Sequence, residues 1–248
     1  MSCGTLLRVI IDLNTEELLR AAVHNNAEWC AAVSGGGTFA ADSWTSARRT
    51  PMYYPDGVTL SREASADALL AGMDTESPGC SVKDSFAALD LAPAGFEVLF
   101  GAEWIHRPGD APAAASPAAG SPALAWARVA DAGELAAWEA AWGGGESTGL
   151  FHPGLLAPEI AFLAGRAADG RILAGAAANR TGSVVGLSNV FTADGTPDDE
   201  AWAGALAAAA DLWPGLPVVG YESGDDLDTA LRHGFTPLGP LRVWLHTA

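Results

Sequence analysis

The sequence predicts a mixed α/β fold in which a mostly antiparallel sheet is flanked by helices. Three observations indicate the type of its elements, the size of its core and its division into two halves. Strand-like and helix-like segments alternate throughout the 248 residues. Apolar residues make up 49% of them, enough for one large core or two modest ones. Residues 108–122 contain four prolines and no aromatic or large aliphatic residue, which is typical of an extended linker. We therefore predict an N-terminal half over residues 1–109, a linker over 110–122 and a second domain over 123–248.

The second domain has the predicted element order βα, βββ, α, β, α, β. Apolar residues recur at helical spacing in its helices, and Asp-Gly and Thr-Gly pairs at 169–170 and 181–182 predict tight turns between three consecutive strands. Thr196 predicts an N-cap, with Pro197 at the first helical position. The predicted strands cover residues 124–129, 160–167, 171–178, 184–191, 216–222 and 241–246, and the predicted helices cover 133–142, 197–213 and 225–232.

The first half repeats part of this order. After a long helix over residues 16–33, the pattern predicts strands over 58–60, 80–86 and 97–106 and short helices over 66–73 and 89–96. Trp104 and His106 are spaced as Trp244 and His246 are in the last strand. We interpret this as a tandem arrangement of an incomplete copy and a complete one, and chance similarity is the alternative.

The charge balance excludes two classes of partner. Lys and Arg number 13 against 30 Asp and Glu, and the net charge of −17 argues against partners that bind through phosphate or anionic lipid. We therefore expect a small-molecule substrate, with no nucleic acid and no membrane partner. No apolar run reaches the roughly 18 residues of a membrane span, and the first residues do not resemble a signal peptide, so we expect a cytoplasmic protein. The sequence does not indicate an oligomeric state.

Familiar catalytic and metal-binding motifs are absent from the sequence. Cys3, Cys30 and Cys80 lack the paired spacing of zinc and redox sites, so we expect reduced thiols and no metal. No G-x-S-x-G or H-E-x-x-H segment occurs either. Hydrolase and metalloprotease functions therefore have no support.

The segment ALRHGF at residues 230–235, followed by a glycine and a final strand, resembles the GNAT superfamily of N-acyltransferases when it is taken with the element order. The resemblance covers about the last 125 residues, and an unrelated α/β domain with a glycine-capped helix is the alternative. It implies a GNAT-like N-acyltransferase that acts on a small amine or amino-acid-like metabolite. It also implies acetyl-CoA or another acyl-CoA as the cofactor.

The resemblance places the coenzyme A pyrophosphate between the fourth strand and the next helix, with Val190, Thr192 and Gly195 as cofactor-binding candidates. The segment VFTADGTPDDEAWAG lacks the Gln or Arg and the second glycine of the family pattern Q/R-x-x-G-x-G/A. We expect its carboxylates to occupy the helix start and to repel phosphate, although backbone amides remain an alternative means of binding. A second function therefore stays open, in which the protein no longer uses acyl-CoA and binds or converts a small metabolite in the cleft between the halves. The carboxylates belong to Asp194, Asp198, Asp199 and Glu200.

The resemblance also implies site residues in the second domain. Asn189 and Glu222 lie near the ends of adjacent strands that splay apart in GNAT-like folds, where substrate and a general base or its water are located. We predict Glu222 as a catalytic residue and Asn189 and Tyr221 as substrate-binding residues. His233 occupies the region where family members often have a tyrosine acid.

The first helix offers a second set of candidates. Asn14 and Glu17 form the sequence pattern of a capping box, which predicts the start of this helix. Helical spacing then places Asn26 within the apolar stripe of the helix. A buried amide either ties down a neighbouring loop or faces a ligand. His24 and Glu28 lie within one and a half turns of Asn26, so we predict a polar cluster on this helix. His24 is its catalytic candidate, and Asn26 and Glu28 are its substrate-binding candidates.

Two further segments of the first half carry candidates. Strand alternation places Asp84 on an apolar face and Lys83 on the opposite face, so Asp84 is either a catalytic base or one partner of a structural ion pair. Arg48, Arg49 and His24 are its possible partners. An aromatic and basic loop supplies Trp44, Arg48 and Tyr53 as substrate-binding candidates, unless the loop only covers the core.

Overall fold

The computed structural model describes residues 14–112, 124–193 and 195–247. Most of the predicted linker, including residues 113–122, and Asp194 therefore lie outside the described residues. The first half contains helices α1 and α2 and strands β1 to β5. Their bounds are α1 Thr15–Val33, β1 Thr38–Phe39, β2 Ser43–Thr45, β3 Gly57–Thr59, α2 Ala66–Ala71, β4 Ser81–Asp84 and β5 Phe96–Arg107.

The second half contains the remaining strands and three helices. Their bounds are β6 Ala125–Arg128, α3 Ala132–Gly143, β7 Ile160–Arg166, β8 Ile172–Thr181, β9 Val184–Thr192, α4 Asp198–Leu212, β10 Val218–Glu222, α5 Gly224–Arg232 and β11 Thr236–His246. This is the predicted element order, and most strand–strand neighbours are antiparallel. The predicted fold class is confirmed.

The described strands form one sheet of 11 strands, in the order β1-β2-β3-β4-β11-β5-β10-β9-β8-β7-β6. At its centre, strands from the two halves alternate: β5 pairs with both β10 and β11, and β11 pairs with both β5 and β4. A parallel pair stands on each side of this centre, β9–β10 on one side and β3–β4 on the other. Each half therefore supplies a strand that lies between two strands of the other.

Helix α1 joins the halves from one face of the sheet. Its predicted capping box is present: the Glu17 amide donates to Asn14 Oδ1 at 3.0 Å, and the Asn14 amide donates to Glu17 Oε2 at 2.9 Å. From this start α1 contacts β5 and β8 to β11. Helix α3 packs on the same face, beside α1 and against β7 to β9, whereas α4 and α5 cover the other face.

Strand β8 is buried on both faces, which explains its composition. Ala177 belongs to the core cluster beneath α1 and α3, whereas Ala176 and Ala178 belong to the cluster beneath α4 and α5. A strand covered on both sides is apolar without alternation, and alanine lets the helices approach closely. No helix in the described ranges combines the length and apolarity that crossing a membrane requires.

Several predicted boundaries differ from the structure, among them the following three. The predicted helix over residues 89–96 is only a 3-10 turn, Ala92–Ala94. Thr196 does not cap α4; its amide donates to Ala193 O in a turn, and Pro197 becomes the N-cap. Strand β11 starts at Thr236 rather than 241, because the ladder with β5 continues past Pro237 and Pro240 through a register shift at Gly239. Proline has no N–H group to donate to a strand ladder, so the sequence pattern alone starts the strand only after Pro240.

Candidate functional site

The site lies where β9 and β10 separate. Their parallel ladder, within the described chain, consists of the pairs Val218↔Val185 and Val219↔Gly186. Farther along, a register shift in the β8–β9 ladder sets Asn189 and Val190 against Ala176, and Asn189 adopts a φ of 51°. A bulge of this kind bends a strand away from its neighbour. The opening that results is flanked by the unpaired edges of both strands.

A cavity of about 150 Å³ occupies this opening and reaches the underside of α1. A cavity of roughly this volume accommodates a molecule about the size of benzene. Its walls include five residues predicted from the sequence: Asn26, Tyr53, Asn189, Tyr221 and Glu222. The structure thus brings together candidates from both halves. Further lining residues include Asn25, Trp29, Cys30, Tyr54, Lys83, Trp104, Asn179, Gly186 and Ser188.

Asn25 and Asn179 fix α1 to the sheet beside the cavity. The Asn25 side-chain amide donates to Asn179 O at 2.9 Å, and the Asn179 amide donates to Asn25 O at 3.1 Å. Both side chains lie over Gly186, where a Cβ atom would come within 1.9 Å of Asn25 Oδ1. This reciprocal pair of hydrogen bonds was not predicted from the sequence. The available signal is Asn179, a polar residue in an otherwise apolar strand.

Lys83 is a buried cation in the cavity wall, with 3% of its surface exposed. Its Nζ donates to Asn26 Oδ1 at 2.7 Å and to Tyr221 Oη at 3.1 Å, and lies 4.2 Å from the centroid of the Tyr221 ring. Burial by itself lowers the pKa of Lys83, but Coulomb attraction to Tyr221 and Cys30 and the hydrogen bond to Tyr221 raise it above its ordinary value. Strand alternation places Lys83 opposite Asp84, but it gives no sign that Lys83 belongs to the site.

Glu222 is a half-buried carboxyl on the last residue of β10. Its side chain makes no hydrogen bond or ion pair to the rest of the described chain. Burial, together with repulsion from Asp226 of α5, raises the pKa of Glu222 to about 8. The carboxyl can therefore change its protonation state near neutral pH, as an acid–base catalyst must.

Two hydroxyl groups in the cavity lining are buried and poorly hydrogen-bonded. Ser188 Oγ forms no hydrogen bond within the residues that the structure describes. Tyr54 Oη forms no hydrogen bond of good geometry there, although the Trp29 and Asn189 side chains lie near enough to lower its pKa by hydrogen bonding. Burial raises the pKa of Tyr54, so its phenol stays protonated and can donate. Tyr53 also lines the cavity but is mostly exposed, with a φ of 73°.

The other candidates from the first half lie away from this cavity. His24 and Glu28 form a 3.4 Å pair on the exposed side of α1, and Glu28 accepts a hydrogen bond from Thr181 Oγ1. Trp44 is fully buried in the core, and Arg48 is exposed. Helical and strand periodicity assign a face to each residue, but they do not show which surface or core lies opposite that face.

Asp84 is buried, and its carboxylate closes the turn after β4. It accepts hydrogen bonds from the Ala88 amide at 3.1 Å and the Leu89 amide at 2.9 Å. Arg49, one of its predicted partners, instead forms an ion pair with Asp56. Backbone donors thus satisfy Asp84 where the sequence analysis proposed a cation.

This arrangement predicts that Asp84→Asn lowers stability and leaves the cavity intact. The amide keeps one acceptor but turns an NH₂ group towards the second backbone donor, so we expect a loss of about 1–3 kcal/mol in the free energy of unfolding. Urea unfolding measures this loss, with the exposed Asp211→Asn as the control. A large loss of ligand binding or catalysis at an unchanged unfolding midpoint would restore Asp84 as a catalytic candidate.

Comparison with known proteins bears on the fold. No model of a protein family matches the chain, and no curated protein matches it in sequence. Among solved structures, a GCN5-related N-acetyltransferase from Kribbella flavida superposes with a TM-score of 0.63 at 16% identity, covering 92% of this chain and 96% of that one. The chain has the GNAT fold.

Two other solved structures extend the comparison. A protein of the GNAT family from Novosphingobium aromaticivorans has a TM-score of 0.56 at 15% identity and covers 93% of this chain and 99% of that one. A functionally unknown conserved protein from Staphylococcus epidermidis has a TM-score of 0.57 at 9% identity and covers 85% and 93%. Since these likenesses include the first half, the GNAT fold extends well beyond the 125 residues that carried the sequence resemblance.

The start of α4 is where the resemblance to the GNAT superfamily places the acyl-CoA phosphates. Contrary to the expectation for Asp198, Asp199 and Glu200, no side chain in the described residues caps this helix start; Asp194 lies outside those residues. Asp198 instead accepts a hydrogen bond from Thr192 Oγ1 at 2.9 Å, and Asp199 pairs with His233 Nε2 at 2.9 Å. The Glu200 amide donates to Pro197 O at 3.0 Å, so within the described residues the backbone N–H groups of Asp198 and Asp199 remain for a phosphate.

The backbone at the start of α4 fits a phosphate group, but the carboxylates of its first turn would weaken phosphate binding. Arg232 is a nearby cation, and it pairs with Asp199 at 3.4 Å. Glu200 is buried, and one of its carboxyl oxygens makes no hydrogen bond within the described ranges. Val190, Thr192 and Gly195 thus stay candidates that would act through the backbone. Elsewhere in the described chain, no three His, Cys, Asp or Glu side chains converge in a possible metal site.

Proposed function

We propose that this protein is an N-acyltransferase-type enzyme that acylates a small amine in the cavity between β9 and β10. The proposal rests on the position and the raised pKa of Glu222. This side chain is a half-buried carboxyl without a partner in the described chain, at the mouth of the strand opening, with a pKa raised to about 8. A general base is most effective when its pKa lies near the operating pH. The GNAT fold supports the same class of reaction.

The residues of the site would act on the amine, which enters as an ammonium ion. The ionised Glu222 carboxylate accepts a proton from it, directly or through one water, and leaves a nitrogen lone pair free to attack. An acyl-CoA would supply the acyl group as a thioester: the C–N bond would form as the C–S bond breaks, and coenzyme A would leave as a thiol with the second proton of the nitrogen. Asn25 and Asn179 keep α1 against the sheet, which fixes the wall opposite the opening and excludes water from it.

A second function is favoured by the acidic start of α4. In that case the protein has lost acyl-CoA use and binds or converts a small metabolite in the same cavity, which is lined by both halves. Three carboxylates in one helical turn would repel pyrophosphate, and their side chains offer it no donor.

Coenzyme A binding separates the two functions. We expect acetyl-CoA at millimolar concentration to raise the melting temperature, because a ligand of the native state stabilises it by RT ln(1 + [L]/Kd). Asp198→Asn should increase this rise, since it removes one charge beside the phosphates while the amide oxygen can still accept from Thr192. Asp211→Asn, at the other end of α4, makes the same change in net charge and should have no effect.

The dependence on salt gives an independent readout of the same site. Binding through a basic loop weakens as salt increases, whereas binding against local acidic charge does not weaken, because salt screens the repulsion. If acetyl-CoA produces no rise with the native protein or with Asp198→Asn, the acyltransferase proposal is wrong and the second function replaces it.

A further inference from the structure

Lys83 carries a positive charge into the cavity wall without a carboxylate partner in the described chain, although the ionisable side chains of Tyr221 and Cys30 lie near it. Its ammonium is bound by a neutral amide oxygen, a phenol oxygen and the face of the same phenol ring. No carboxylate within residues 14–112, 124–193 and 195–247 forms an ion pair with it, although the protein as a whole is strongly acidic. Asp84, next in sequence, points to the other face and is used by backbone amides.

A buried cation of this kind is costly for the folded protein by itself. Lysine is almost never fully buried unless it is paired, since neutral dipoles replace only part of the hydration of an ammonium ion. The two hydrogen bonds use two of its three N–H donors, so one donor remains for a ligand. An anionic group in the cavity would provide the missing charge and accept from that donor.

The surroundings of Lys83 suit a carboxylate. Tyr54 Oη is a buried hydroxyl of the same cavity that makes no hydrogen bond of good geometry in the described chain, with Trp29 and Asn189 beside it, and it can donate to a second carboxylate oxygen. Cys30 and Tyr221, which both lie near Lys83, are also close enough to Tyr54 to interact with it electrostatically. A planar anion with two oxygens fits this set of donors better than a single-atom anion does.

The opposite side of the cavity carries the complementary charge. Successive residues of a strand face opposite sides, so Tyr221 points towards α1 and Lys83, whereas Glu222 points towards Asp226 of α5. Both residues line the cavity. The cavity is therefore bipolar, with a cation on the α1 side and an ionisable carboxyl on the other.

We propose that the ligand of this cavity is a small amino acid, with its carboxylate bound by Lys83 and Tyr54 and its amine directed to Glu222. This names the substrate class for the acyl transfer proposed above and rests on that function. The cavity volume of about 150 Å³ limits the ligand to a compact molecule such as alanine, β-alanine or 4-aminobutyrate. Lys83 and Asn26 come from the first half and Glu222 from the second, so both halves recognise one molecule.

Isothermal titration calorimetry on the full chain tests the inference, with matched ligands and both with and without coenzyme A. Alanine and alaninamide share the amine and differ in the carboxylate, and propionate has the carboxylate without the amine. A panel of the common amino acids, β-alanine and 4-aminobutyrate covers the spacing between the two groups. We expect the best amino acid to bind at least tenfold more tightly than its amide and its deaminated analogue.

Two variants locate the carboxylate. Lys83→Met keeps the length of the side chain without its charge, and it should weaken the amino acid by about 10- to 100-fold while leaving the amide unchanged. Tyr54→Phe should weaken the binding of the amino acid several-fold with little change in the melting temperature, since the lost hydroxyl makes no hydrogen bond of good geometry in the described chain. If Lys83→Met does not fold, the ligand pairs on the native protein and Tyr54→Phe decide the question.

The outcomes distinguish this inference from the proposed function. Equal binding of amino acid and amide, equal binding by Lys83→Met, or no binding by any member of the panel overturns the amino-acid assignment. Acyl transfer to amines irrespective of a carboxylate would also overturn it, while the proposed function stands. Carboxylate-dependent binding through Lys83 without acyl transfer would overturn the proposed function and leave the amino-acid site.

Discussion

Glu222→Gln should lower kcat/KM for acyl transfer by about 10²- to 10⁴-fold, the range that a general base contributes. The amide has nearly the same shape but cannot accept the proton of the amine. In the native enzyme kcat/KM should rise with pH through about 8, the pKa to which burial and Asp226 raise this carboxyl. The variant should lose that rise. Initial rates across the pH range, with a saturating acyl donor, measure both effects.

The same substitution has a signature in stability, with a sign set by the raised pKa. The native state keeps the Glu222 proton from the ordinary value of 4.5 up to about 8, so this contribution to stability is complete at low pH and is lost as the pH rises through 8. Glu222→Gln should therefore match the native protein in urea unfolding below about pH 5 and be the more stable protein above pH 8.

Glu103→Gln is the matched control for both measurements. Glu103 lies directly opposite Glu222 in the β5–β10 ladder but does not line the cavity. It should leave the pH profile and the pH dependence of stability unchanged. If Glu222→Gln retains transfer and its pH profile, Glu222 is not the base, and the proposed mechanism loses its central residue.

Trp138→Ala should cause a large loss of stability, about 3–5 kcal/mol in the free energy of unfolding. Trp138 has no exposed surface and lies edge-on to Phe151, Phe162 and Phe191, with ring centroids at 4.9–5.4 Å. Its Nε1 also donates to Leu163 O at 2.9 Å, so truncation removes a partner from a buried carbonyl as well as opening a void.

Urea unfolding of Trp138→Ala and Trp213→Ala provides the comparison. Trp213 caps the end of α4 and is only half-buried, so its truncation should cost no more than about 1–2 kcal/mol. Equal losses for the two variants would show that the aromatic cluster around Trp138 does not carry the stability of the second half.

The parts of the fold that could be predicted are those determined by neighbouring residues. The capping box at Asn14 and Glu17 sets the start and the phase of α1, and Asp169-Gly170 and Thr181-Gly182 set the turns between β7, β8 and β9. The pairing of β5 with β10 and β11 could not be read in this way, because it joins residues such as Glu103 and Glu222 that are far apart in the sequence. The tandem duplication stays a prediction, supported by the matching order of strands on the two sides of the sheet centre.

The candidate site was predicted in part for the same reason. Asn26 was found because it interrupts the apolar stripe of its own helix, whereas Asn189, Tyr221 and Glu222 were implied by the resemblance to the GNAT superfamily. Lys83 was missed because strand alternation shows only that it lies opposite Asp84. It does not show that Lys83 Nζ donates a hydrogen bond to Asn26 Oδ1 of the sequence-distant helix α1. The uncapped start of α4 was missed because Asp199 is drawn away by His233, which follows in another helix.

The alternation of β5 and β11 at the centre of the sheet has a consequence for how the chain is made. Strand β5 leaves the ribosome before residues 108–217, yet both of its sheet neighbours, β10 and β11, follow that stretch. Until they are synthesised, β5 has two open edges on which other chains could add strands. The nascent first half therefore depends on late, sequence-distant pairing, which is a slow kind of folding step. Translation speed and chaperone access across residues 108–217 should influence the yield of native protein more than either half's own stability.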